Sequence, residues 1–151
     1  MEDFLKILPS LRQLPLQLIH NDICLSNLLV DKRGGEYCLS GVIDFSAMVN
    51  SYSVVELAIL AARINMDKSR PLKNLMLVVR GFNSVRKLEA VEQKLLFVLI
   101  RARLSFLTLM LCRDCHQSPD NEYLRKNKES IVEYIKTFSS IPPEEFQKEL
   151  E

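Results

Sequence analysis

The spacing of apolar and polar positions changes character near residue 50. Before it, apolar residues come in short runs at 16–19, 28–30 and 37–43. The last two flank Asp31-Lys32-Arg33-Gly34-Gly35-Glu36, a polar stretch with paired glycines, so they predict a β-hairpin closed by a longer loop. After Asn50 the period becomes helical. Ser53 with Glu56 three residues on fits a capping box, and a helix is expected over 54–64. A second is expected over about 72–85, entered after Pro71. The stretch 91–115 is apolar on nearly all sides and is expected to be the central buried helix. Another is expected to start at Ser118-Pro119, with Pro at its tolerated first position, and to run to about Phe138. Pro142-Pro143 opens a short acidic terminal helix. The fold class this implies is α+β: a small sheet element followed by a helical bundle, as one domain over 1–151.

Composition narrows the picture without changing it. With 48% apolar and 26% charged residues the chain has the balance of a globular protein rather than a disordered one. A net charge of +1 argues against a dedicated nucleic-acid binder. The middle segment, 61–128, carries fourteen bases against six acids, which reads as solvated helix faces. No run approaches the roughly 18 consecutive apolar residues of a membrane span. The longest, 104–112, contains Ser105 and Thr108 and reads as buried core helix. The first residues show no basic start followed by an apolar run, so no secretory signal is expected. Four cysteines without a signal read as free thiols in a reducing compartment, and the expected location is cytoplasmic.

The chemistry is concentrated in His20-Asn21-Asp22-Ile23-Cys24-Leu25-Ser26-Asn27, an H-x-D-x-x-x-x-N string, followed by Val42-Ile43-Asp44-Phe45. The expected hairpin lies between them, so Asp44 returns to the end where Asp22 and Asn27 sit. Phosphoryl transfer needs such a set. A hard cation such as Mg²⁺ takes oxygen ligands, here the Asn27 amide and the Asp44 carboxylate. Asp22, a separate carboxylate, would accept the proton of the attacking hydroxyl.

These residues resemble the catalytic loop and metal-binding segment of the aminoglycoside phosphotransferase and choline kinase superfamily. Within it the likeness is to the hydroxylysine kinases, carried further by Ser40 to Phe45, Ser51 to Ala58, Ala102-Arg103-Leu104 and Asp120 to Leu124. The resemblance implies a kinase-like C-terminal lobe with its catalytic loop at 20–27, metal-binding segment at 42–46 and helical subdomain at 53–151. By position it makes Asp22 the catalytic base, Asn27 and Asp44 the metal ligands, and His20 a structural brace of the loop. Glu56 matches an acid of the family, which the capping box also explains as structural. Asn21 and Ser46 stand where relatives carry Gly. Mg²⁺ and a nucleotide triphosphate, GTP or ATP, are the implied cofactor and co-substrate. The implied partners are small molecules, with no nucleic acid and no membrane. The acceptor implied is 5-hydroxylysine with GTP as donor; homoserine, choline or an aminoglycoside are the alternative acceptors.

Only nineteen residues precede His20, with Lys6 the sole lysine and no glycine among them. A nucleotide-gripping first lobe is therefore expected to be missing. A truncated, non-catalytic helical interaction module is the reading from another class. Cys112-Arg113-Asp114-Cys115-His116 spells a haem-attachment string, yet on a buried helix it reads as two reduced cysteines. Arg101 and Arg103 interrupt the central helix and could reach substrate or phosphate in the cleft, yet the favoured reading is of stems along apolar surface with their heads in water. Asp114 and Glu122 are candidate carboxylates for a cationic acceptor.

Overall fold

The computed structural model describes residues 2–63 and 71–150. Its elements, in chain order, are α1 (Glu2–Leu11), β1 (Leu16–Ile19), β2 (Leu28–Arg33), β3 (Glu36–Val42), β4 (Val49–Tyr52), α2 (Ser53–Arg63), α3 (Pro71–Val85), α4 (Ala90–Gln117), α5 (Glu122–Ser139) and α6 (Pro143–Leu150). The molecule is α+β and mostly helical. Two antiparallel two-stranded sheets, β1 with β4 and β2 with β3, lie in its first third.

The hairpin is tighter than the polar stretch predicts. Pairing continues to Arg33 opposite Glu36, so the turn is only Gly34-Gly35, with φ of 60° and 92°. A two-residue turn with both residues left-handed follows the right-handed twist of the strands, and glycine enters that region without a side-chain penalty. Asp31 and Lys32 are therefore strand residues rather than loop. A register shift between Leu29 and Val30 bends the ladder near its root.

α1 is a helix that no expectation from the sequence includes. Pro9 sits inside it, yet its apolar face packs on α4, burying Leu11, with Leu14 buried just beyond the helix. The pairing of Leu16 with Tyr52 and Ile19 with Val49 returns the chain to the start of α2.

The core is formed by α2, α3, α4 and α5. Leu57 and Ala61 of α2, Leu75 and Val79 of α3, and Leu96, Ile100 and Leu104 of α4 are almost fully excluded from water. Phe97, Phe138 and Phe146 close its lower end, with Phe97 5.0 and 5.1 Å by ring centroid from the other two. Each buried aromatic contributes on the order of 2–3 kcal/mol of transfer free energy.

Two helix expectations are corrected. α4 is not buried on nearly all sides. Leu104 and Leu107 face the core, while Phe106 and Leu109 of the same stretch are exposed, because α2 and α5 cover only part of a helix's circumference. α4 is also long and apolar enough by composition to cross a bilayer; here it is the helix on which α1, α2, α5 and α6 all pack. α5 starts at Glu122 rather than at Pro119. Asn121 is its cap and accepts from the Leu124 N–H, which satisfies one of the free donors of the first turn.

Candidate active site

The segment after β1 is irregular and pinned at several points. Asn21 has φ of 65°, a left-handed step that Asn tolerates better than most side chains. Its N–H donates to Glu56 Oε2 at 3.0 Å. This corrects the capping-box expectation: Glu56 turns toward the loop rather than back to the start of α2. His20 Nδ1 accepts the Asp22 N–H at 3.4 Å, so the ring's proton is on Nε2, which donates to the Ile43 carbonyl at 2.9 Å. The His20 ring also stands 4.9 Å from that of Phe45.

Three bonds join the loop to the root of the hairpin. Asn27 Nδ2 donates to the Asp22 carbonyl at 3.0 Å, and Ile43 N–H donates to the Asn27 carbonyl at 3.0 Å. With His20 on Ile43, they gather residues 20, 22, 27 and 43 at one end of the ladder, and Asp44 follows directly. Asn27 is buried. No hydrogen bond among the described residues takes its amide oxygen, since the nitrogen makes the side chain's contact.

Asp44 also has a left-handed backbone, with φ of 64°. The Ser46 hydroxyl donates to Asp44 Oδ1 at 2.6 Å, and the Ser46 backbone adds a second bond. The two hold the exposed carboxyl below its ordinary range. Ser46 therefore supports the ionised form of its neighbour. An amide oxygen with no partner among the described residues and an exposed carboxylate with lone pairs to spare are the oxygen donors a hard divalent cation takes. The donor set fits Mg²⁺.

Asp22 is where the structure adds most. Its Oδ1 accepts from Arg63 Nη2 at 2.7 Å and from Arg103 Nη2 at 3.3 Å. Arg103 is only 17% exposed and lies 81 positions from Asp22, so its expected placement along apolar surface with its head in water is wrong. Burial, then the neighbouring Arg63, lowers its pKa from the ordinary value. Arg101 is 44% exposed and stands 3.6 Å from Asp3. Nothing in the sequence around Arg63, the last residue of α2, marks it for this contact. It shares with Arg103 only the general signal of a cation within an apolar helical stretch.

A cavity of about 480 Å³ opens beside Asp22 between α4 and α5, walled by Cys24, Phe106, Met110 and Tyr123 among others. Asp114 lines it; Glu122 instead pairs with Lys126 at 2.8 Å on the surface. Cys112 is exposed and Cys115 buried, and among the described residues no group of three or more His, Cys, Asp or Glu side chains is placed to hold a metal ion.

The family model described as phosphotransferase enzyme family matches residues 1–84, more than half of the chain. The chain belongs to the phosphotransferase enzyme family. Among the curated members it resembles, hydroxylysine kinase of Mus musculus is 34% identical over 111 residues, covering 70% of this chain and 30% of that protein. Hydroxylysine kinase of Xenopus laevis is 30% identical over 149 residues, covering 94% and 40%. Hydroxylysine kinase of Danio rerio is 30% identical over 118 residues, covering 78% and 33%. The chain thus spans at most two-fifths of the length of these phosphotransferase relatives. The family match includes the whole of the pinned loop, the hairpin and α2, the elements that carry Asp22, Asn27, Asp44 and Arg63.

Proposed function

We propose that this chain is the kinase-like C-terminal lobe, as one domain over 1–151, of an enzyme that moves the γ-phosphoryl group of a nucleotide triphosphate to the hydroxyl of a small amino-alcohol. The relatives' names, hydroxylysine kinase, favour 5-hydroxylysine as the acceptor; GTP as the donor and a cytoplasmic setting are part of the same proposal. The observation that carries the reading is the bonding of Asp22, Asn27 and Ile43-Asp44 into one end of the hairpin.

In this reading Asp22 faces the acceptor, holds its hydroxyl in line and takes its proton. Asn27 and Asp44 would hold Mg²⁺, which when bound neutralises charge on the phosphates. Ser46, through its bond to Oδ1, fixes the orientation of the Asp44 carboxylate for that role. His20 moves no proton: both ring nitrogens are spent on backbone, one on the base's own N–H and one on the strand leading to Asp44.

Measuring turnover against Mg²⁺ in the protein that carries this chain separates the two roles. Asp22→Asn keeps the shape but loses the proton acceptor, so turnover falls about 10²–10⁴-fold at any Mg²⁺ concentration. Asp44→Asn weakens metal binding, and its loss is partly recovered at high Mg²⁺. Rescue of Asp22→Asn by metal, without rescue of Asp44→Asn, reverses the assignment.

A further inference from the structure

Three buried side-chain polar atoms have no hydrogen-bond partner among the described residues: Glu56 Oε1, Arg63 Nε and Arg103 Nε. All three belong to side chains that surround or support the Asp22 loop. Buried polar groups are nearly always satisfied, so unpaired ones beside a cavity call for a partner from outside the described residues, a water or a bound group. Two of the three are donors on guanidinium groups, and both of these arginines line the cavity between α4 and α5.

The geometry within each guanidinium is telling. Nε and Nη2 form one edge, the edge that takes a carboxylate in a two-pronged grip. Arg63 and Arg103 each give Nη2 to the same oxygen of Asp22 and leave Nε unpaired. Neither grip is complete, because one carboxylate oxygen is shared by two forks. Both Nε atoms are shielded as the side chains stand, so a second carboxylate in the cavity would complete a fork only by turning one guanidinium toward itself, and that turn releases Asp22 Oδ1 from one of its two donors.

Resting on the phosphotransferase reading above, we propose that Arg63 and Arg103 receive a carboxylate on the acceptor, so that this site takes a hydroxy-amino acid and discriminates against the same molecule without its carboxylate. Capture of that carboxylate loosens the hold on Asp22 and frees it for the acceptor hydroxyl. Leu107, Met110 and Leu111 of α4 give the cavity an apolar wall beside Arg103 that suits an aliphatic chain, while Asp114, further along α4, is already paired with Arg113 at 2.8 Å. Arg103 also lies against Phe106, 5.4 Å from the ring centroid, which gives the guanidinium a flat surface to move along.

The test compares 5-hydroxylysine with 1,5-diaminopentan-2-ol, the same molecule lacking the carboxylate, by calorimetric titration and by phosphoryl transfer in the protein that carries this chain. The expected result is binding of hydroxylysine about tenfold to a hundredfold tighter than of the diamine, the range of a charge-assisted hydrogen-bonded contact. Arg103→Gln should erase that preference by weakening hydroxylysine alone. Should Arg103→Gln fail to fold by circular dichroism, Arg63→Gln carries the same comparison. Equal binding of both compounds, or of neither, overturns the inference. So does a fall in turnover by the same factor for both acceptors, which would mean that the arginines act on the phosphoryl group or on Asp22 alone. Preferential binding of hydroxylysine with transfer to neither compound would instead sink the kinase reading and leave the carboxylate site standing.

Discussion

Asn21 donates its backbone N–H to Glu56 Oε2 across 35 positions of sequence, which ties the left-handed step of the loop to the first turn of α2. The step and the helix then support each other. Glycine at 21 would adopt φ of 65° without cost, whereas alanine would meet the left-handed penalty of roughly 1–2 kcal/mol. Asn21→Gly should therefore leave the urea midpoint nearly unchanged, and Asn21→Ala should lower stability by about 1 kcal/mol. Equal effects of the two would mean that the side chain, not the backbone, matters at this position.

Ser46 offers a separate handle. Its bonds to Asp44 favour the ionised carboxyl, so the native pKa lies below the ordinary 3.8. A depressed carboxyl contributes stability above its unfolded pKa and loses it as pH falls through the folded one. Asp44 is exposed, so the effect is small and best read at the residue itself. An NMR titration should place the Asp44 midpoint below 3.8 in the native chain and move it upward in Ser46→Ala. No movement would detach Ser46 from the carboxylate.

Tyr134 is buried on α5 and donates to the Ala61 carbonyl of α2 at 3.1 Å. Burial raises its pKa to about 12. The folded state therefore holds the phenol proton more tightly than the unfolded one. Its contribution is complete below the unfolded value near 10 and is lost as pH rises toward 12. The shift corresponds to roughly 2–3 kcal/mol. Tyr134→Phe should cost about 1 kcal/mol at neutral pH, through the lost hydrogen bond, and should flatten the decline in stability above pH 10. Guanidinium unfolding of both proteins at pH 7 and pH 11 gives the comparison.

Between α3 and α4 a charged pair replaces apolar packing. Arg86 gives 3.1 and 2.8 Å bonds to the two oxygens of Glu92, which is 1% exposed and also accepts the Glu89 N–H. Removing the arginine leaves a buried carboxylate with only backbone help. Arg86→Met should destabilise by about 2–3 kcal/mol, less than a fully buried pair because Arg86 is partly in water. Replacing Glu92 with Met as well should restore part of the loss; a double variant weaker than Arg86→Met alone would contradict this.

What the sequence disclosed follows the distance over which each interaction acts. The Gly34-Gly35 turn, the His20 to Asn27 string and the two main core helices are local patterns, readable from neighbours in the chain. α1 was hidden because Pro9 argues against a helix and the compensating burial comes from α4. The β1–β4 ladder pairs residues thirty or more positions apart, and no local pattern encodes it. Glu56 carried a capping signature that the fold used differently. The arginines on Asp22 lay furthest from view, at 41 and 81 positions, since no periodicity records which way a lone cation on an apolar helix turns.

The β2–β3 ladder is two strands wide, and Leu29, Val30, Tyr37 and Leu39 are exposed along it. Such a hairpin has little packing of its own, so its backbone hydrogens should exchange with solvent far sooner than those of α2 or α4. Asn27 and Asp44 stand at its root. Opening of the ladder would separate them while the helical core stays closed. The order of the site and the stability of the fold are then two different quantities, and a melting curve of the helices would report only the second.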